Sequence, residues 1–244
     1  MKRKSRPIKT NKKALFLGII LATVIIGGSA TAFLSMGQNN SNRSTSNNQT
    51  SELIRLIAQP VIQNVTALGS DTAKITLVEF GDYQCHYCAQ FHRDVRHEIL
   101  DKYVNTGQIK FIFKDFVIND KPFDKASTLA ARASYCAAEQ GKYWNYHDEV
   151  YNNSKGENTE WINKSSLEGF AKIVHVPDLE KFSNCLDSQR YNDVILQNDE
   201  LARSLGLKST PTFILVQDGK QPLGIVGAQP FTVFQQAISQ LENG

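Results

Sequence analysis

No acidic residue occurs in the first 51 positions of this 244-residue chain, whereas Lys2, Arg3, Lys4, Arg6, Lys9, Lys12 and Lys13 place seven positive charges before residue 14. The net charge of +3 is therefore a property of the leader: 27 basic residues less those seven leaves 20 against 24 acids, a net of −4. A mildly acidic body lacks the basic footprint of a nucleic-acid binder, and that class of partner is excluded. No collagen-like, coiled-coil or solenoid repeat is present, which leaves one globular domain once leader and linker are set aside. Cysteine is scarce: Cys85, Cys88, Cys136 and Cys185 are all there is, and only the first two lie close together.

Charge of either sign is missing from Ala14 to Met36, a run of 23 residues. At about 1.5 Å per residue such a run can cross the roughly 30 Å hydrocarbon core of a bilayer. The basic flank, residues 1–13, then stays in the cytoplasm and the C-terminal body lies outside. A cleaved signal peptide is the rival reading, since Ala30-Thr31-Ala32 fits a small-residue cleavage site. Phe33, Leu34 and Met36 carry the apolar run past that point and favour an anchor. Either way the body is exported. Residues 37–51 have almost no apolar side chains and read as a flexible polar linker, with the folded domain at 52–244.

Ile75 to Phe80 is an apolar, β-branched run expected to form a buried strand ending at Gly81-Asp82. Phe91, Val95, Ile99 and Leu100 then recur at helical spacing, and Ile109 to Phe113 reads as a second strand after the turn signal Asn105-Thr106-Gly107. Residues from about 124 to 205 turn helical. Thr212 to Val216, the turn Asp218-Gly219 and Leu223 to Val226 read as a hairpin, and a last amphipathic helix follows Gln229-Pro230. The order β-α-β, helical insertion, β-β-α is that of a thioredoxin fold carrying a helical subdomain.

Cys85-His86-Tyr87-Cys88 falls where the first strand gives way to the helix. Cysteines at i and i+3 on a first helical turn can close and open a small disulfide ring. The positive end of the helix stabilises a thiolate on the first of them, and a protonated His86 can add a second positive charge. A stabilised reduced form makes the disulfide a stronger oxidant.

The chain resembles the DsbA-type thioredoxin-fold proteins over about residues 60–242. The matching pieces are Val78-Glu79-Phe80 leading to C-x-x-C, the insertion segments Ala131-Arg132-Ala133 and Glu139 to Trp144, and Leu205-Gly206 through Ser209-Thr210-Pro211-Thr212-Phe213. The central dipeptide is His-Tyr where the familiar form is Pro-His. The resemblance implies a cis Pro211 against the active-site sulfurs, a Thr210 backbone open to substrate peptide with Tyr87 beside it, and a buried Glu79 that moves the proton of Cys88. It also implies a membrane-embedded, quinone-linked redox partner. Cys85 is expected to be the exposed sulfur that thiol-containing client proteins attack. No cofactor is expected. In an oxidising compartment Cys136 and Cys185 are expected to form a structural disulfide between two insertion helices.

Other readings stand beside these. His92 lies one turn beyond Cys88 and offers a third zinc ligand, although no second close cysteine pair completes such a site. His86 can be a plain exposed residue, and Lys114 either pairs with Glu79 or is a solvated strand end. Tyr143, Trp144, Tyr146 and Tyr151 fit core packing better than a substrate groove. His97, His147 and His175 have no nameable partner. A reductase or isomerase of the same fold, and a non-catalytic metal- or protein-binding module, are the alternatives to an oxidase.

Overall fold

The computed structural model describes residues 51–60, 62 and 66–243. The basic flank, the uncharged run and the linker up to residue 50 lie outside the described residues. Among the described residues no helix is long and apolar enough to cross a membrane. Residues 51–58 are helical (α1) and take in Ser51, the last position of the expected linker. Ile57 of α1 packs on the sheet.

Five strands form one sheet: β1 (Ala67–Leu68), β2 (Ile75–Gly81), β3 (Ile109–Asp115), β4 (Thr212–Gln217) and β5 (Leu223–Val226), in the order β1-β3-β2-β4-β5. β2 runs parallel to β3 and antiparallel to β4, so Glu79 stands between Phe113 on one side and Phe213 on the other. The two edge pairings, β1 with β3 and β4 with β5, are antiparallel. Both faces of the central strand are covered, which is why its sequence is apolar without alternation. Ile75 and Leu77 belong to one core, Val78 and Phe80 to the other. Alternation puts Glu79 on the face of Leu77.

α2 (His86–Phe91) continues into a π-wound stretch, His92–Arg96, the short α3 (His97–Ile99) and a second π-wound stretch, Leu100–Val104. Phe91, Val95 and Ile99 pack with the closing helix, Phe231–Asn243, on the face shared with Leu77. Between β3 and β4 lie α4 (Ala126–Ala138), α5 (Tyr143–Asn152), α6 (Lys164–Ile173), α7 (Leu179–Ser188) and α8 (Asn192–Ser204), inside the expected bounds of the insertion. Cys136 on α4 and Cys185 on α7 are joined by a disulfide, with Cα atoms 5.7 Å apart. Tyr143, Tyr146 and Tyr151 are buried in the insertion core, and Trp144 packs between it and the sheet core; they are packing residues rather than a groove lining.

Two strand-end charges lie inside. Asp115 accepts from Tyr135 of α4 and Asn198 of α8, tying both helices to β3, and burial pushes its carboxyl up to about 6. Lys114 is neither solvated nor paired with Glu79. It is 4% exposed, and its Nζ donates to the carbonyl of Gln59 at 2.8 Å, because residue 114 alternates onto the face covered by α1. Burial lowers its ammonium to about 8.

Candidate active site

The turn between β2 and α2 is held by one buried carboxylate. Asp82 Oδ1 accepts from the Gln84 N–H at 2.8 Å and the Ser127 hydroxyl at 2.6 Å, and Oδ2 accepts from the N–H groups of Ile118 and Asn119, each at 2.9 Å. Gln84 in turn donates to Ser127 and accepts from the N–H of Asn158. Gly81 is required by close approach: a Cβ there would lie 2.5 Å from the Phe113 ring and 3.2 Å from Glu79 Oε1. Cys85 thus enters the helix on a turn braced from the loop after β3, from α4 and from the loop after α5.

Cys85 occupies the N-cap position of α2, and its carbonyl accepts the first helical bond from Ala89. The N–H of His86 donates to Glu157 Oε1 at 2.8 Å. Both Cys85 and Cys88 are present as thiols. Cys85 is 4% exposed, not the open sulfur expected from the sequence, because it lies against the segment before Pro211 and donates to the Thr210 carbonyl at 3.3 Å. The Thr210–Pro211 bond is cis. Cys88 is fully buried among residues of the insertion core. His86 and Tyr87 are the two exposed residues of the motif, with Tyr87 58% exposed and their rings edge to face.

The two sulfurs differ sharply. A hydrogen bond from Cys88 is the largest influence on Cys85 and lowers its thiol to about 7; burial opposes it, while the Thr210 side chain and the N–H groups of Cys88 and Tyr87 add to it. Burial, then the bond to Cys85, pushes the Cys88 thiol well above its usual value. His86 is not among the leading influences on Cys85; the Cys88 bond comes first, and the helix-start N–H groups follow burial and Thr210. Glu79 is 1% exposed, and burial pushes its carboxyl up to about 8 against the attraction of Arg96. A low-pKa attacking sulfur, a protonated buried partner and a buried carboxyl that titrates near neutrality are the parts of reversible disulfide exchange.

Several neighbours make bonds that nothing in the sequence marks. His92 does not turn to the cysteines: its Nε2 lies 3.2 Å from Asp148 Oδ1, and Arg96 reaches the same oxygen at 3.0 Å. His147 is buried, with Nδ1 3.0 Å from the Tyr83 hydroxyl. Among the described residues no group of three or more His, Cys, Asp or Glu is placed to hold a metal ion. His97 and His175 are exposed.

The Thioredoxin family matches residues 63–222. Disulfide bond formation protein D of Bacillus subtilis is 29% identical over 162 residues, 66% of this chain and 71% of that protein. The crystal structure of oxidised BdbD from Bacillus subtilis superposes with a TM-score of 0.67 at 25% identity, covering 77% of this chain and 97% of that one. That of alpha-DsbA1 from Wolbachia pipientis gives 0.64 at 25% identity, over 77% and 94%. With the redox pair at the strand-to-helix junction and the insertion between β3 and β4, the chain belongs to the thioredoxin family and is a DsbA-like protein thiol-disulfide oxidoreductase.

Proposed function

We propose that this oxidoreductase works outside the cytoplasm and introduces disulfides into client proteins. The observation that carries the reading is the buried Cys136–Cys185 disulfide, a bond that persists in oxidising compartments and is rare in reducing ones. The basic flank before Ala14–Met36 supports export with the N-terminus inside, either as a single-pass anchor or as a cleaved signal. The name of the Bacillus subtilis relative, a disulfide bond formation protein, agrees with the direction.

In this reading a client thiolate attacks Cys85 Sγ, the Cys85–Cys88 bond breaks, and Cys88 leaves as a thiolate that takes its proton from Glu79. A second client thiolate attacks the client sulfur of the mixed disulfide and releases reduced Cys85. Thr210, Pro211 and Tyr87 meet the client peptide, since Thr210 bonds the attacking sulfur, Pro211 follows it across the cis bond and Tyr87 is an exposed side chain of the motif. A membrane-embedded, quinone-linked partner then removes two electrons from the dithiol and returns it to the disulfide.

A second reading, a reductase or isomerase, is favoured by one observation: the Cys85 thiol is lowered only to about 7, the value of thioredoxin and not the roughly 3.5 of DsbA. Acid-quenched alkylation of cells separates the two readings. The Cys85–Cys88 pair should be found oxidised at steady state, and a reduced pair would assign the protein to the reductase branch.

A further inference from the structure

We propose that the proton Glu79 exchanges with Cys88 reaches solvent along a polar seam through Tyr151 and His92 that ends on Asp148, at the flank of the active-site helix facing α5. The proposal rests on the relay role of Glu79 put forward above and adds the residues that connect it to water.

Five buried polar atoms of this region have no hydrogen-bond partner among the described residues: Glu79 Oε1, Tyr151 Oη, His147 Nε2, His92 Nδ1 and Arg96 Nε. They come from three elements that meet here, β2, α5 and the π-wound stretch after α2. Folded proteins leave few such atoms, and internal water ordinarily satisfies them. Tyr151 lies within electrostatic reach of both Cys88 and Glu79, and ring contacts place its neighbours. Phe113 stands opposite Glu79 in the sheet, the His147 ring lies 4.7 Å from that of Phe113, and the Tyr151 ring lies 4.9 Å from His147. His92 stacks on Tyr151 with centroids 5.4 Å apart.

His92 joins the inside to the outside. Its Nδ1 is the buried, unpartnered end, and its Nε2 meets Asp148, whose side chain is 39% exposed against 9% for His92. An imidazole can take a proton at one nitrogen and release one from the other, so a residue placed this way passes protons without moving. Arg96 holds the Asp148 carboxylate in place. The other openings are poorer. Lys114, the buried lysine of β3, lies on the opposite face of the sheet, and Cys85 closes the client side at 4% exposure.

When a client sulfur bonds to Cys85 and the Cys85–Cys88 bond breaks, the electron pair stays on Cys88. Glu79 gives Cys88 its proton and becomes a carboxylate, which is reprotonated from solvent through His92. Reoxidation runs the same proton outward. The charged and titratable groups facing this route are Cys85, Cys88 and Arg96 from the helix, Tyr83 from the turn, and His147, Asp148 and Tyr151 from α5.

The test is the rate at which dithiothreitol reduces the active-site disulfide of the full-length protein, read by acid quench and thiol alkylation. His92→Phe, which keeps the stack on Tyr151, and Asp148→Asn should each slow the reaction by at least about tenfold at neutral pH. Added imidazole should restore the rate of His92→Phe. The Cys85 pKa and the glutathione equilibrium should stay at their wild-type values, which a merely structural role would not preserve. Wild-type rates in both variants, with Glu79→Gln slow, would overturn the route and leave the relay standing. A wild-type rate in Glu79→Gln would overturn the relay itself. Slow variants with a shifted equilibrium or no imidazole rescue would make His92 a packing residue and equally end the proposal.

Discussion

The Cys85 thiol donates to the carbonyl of Thr210, 125 residues away, across 3.3 Å. That bond belongs to the neutral sulfur. On ionisation it is lost, and the Thr210 hydroxyl, buried and without another partner among the described residues, is available to the thiolate. The same residue thus serves both protonation states of the attacking sulfur.

The asymmetry between the two thiols has a direct consequence for trapping. Cys88→Ser should accumulate a mixed disulfide between Cys85 and an oxidised client, because the Cys85 thiolate attacks the client disulfide and expels one client thiolate, and no second sulfur of the motif remains to release the product. Cys85→Ser should accumulate none, since Cys88 is fully buried with a raised pKa. Non-reducing electrophoresis followed by mass mapping distinguishes the outcomes, and a client linked to Cys88 would reverse the assignment.

Glu79 makes stability depend on pH. Its folded pKa of about 8 lies above the ordinary 4.5, so the folded state holds the proton more tightly. The contribution is fully present below about 4.5 and is lost as pH rises through 8. Glu79→Gln should therefore match wild type near pH 4.5 and exceed it above pH 8 by an amount on the order of a few kcal/mol. Denaturant midpoints across that range supply the comparison; a constant difference at all pH values would mean that Glu79 does not titrate there.

Asp82 is the bracket of the active-site turn. Asp82→Ala leaves the buried N–H of Gln84 and the half-buried N–H groups of Ile118 and Asn119 without their acceptor and should cost about 3 kcal/mol. It should also slow thiol exchange, because the turn that presents Cys85 loses its anchor. A loss below about 1 kcal/mol in urea unfolding would show that the bracket is dispensable.

Replacing both Cys136 and Cys185 by Ala opens the 49-residue bridge of the insertion. Stability should fall by about 2–5 kcal/mol. Exchange with a small dithiol should persist, since neither sulfur is part of the redox pair. Thermal melting and the dithiothreitol rate check the two halves of this statement.

The elements with strong local patterns were legible from the residues alone. The β-branched run of β2, the C-x-x-C at its helical end and the Thr-Pro before an apolar strand place the site without any long-range information. What stayed hidden is long-range by nature. The bonds Asp82 to Ser127, His92 to Asp148 and Tyr83 to His147 join residues 45, 56 and 64 apart, and none has a spacing that marks it. β1, two residues long, is too short to show a period. Lys114 misleads for a related reason: a lysine ending an apolar strand looks solvated until α1 is known to cover that face and offer a carbonyl. The burial of Cys85 likewise depends on a segment more than a hundred residues downstream, invisible in the motif itself.

The direction of electron flow is tested most directly by the equilibrium reduction potential of the Cys85–Cys88 pair in glutathione buffers. An oxidase should give a value at least as oxidising as the roughly −180 mV of protein disulfide isomerase, and a value near the roughly −270 mV of thioredoxin would contradict it.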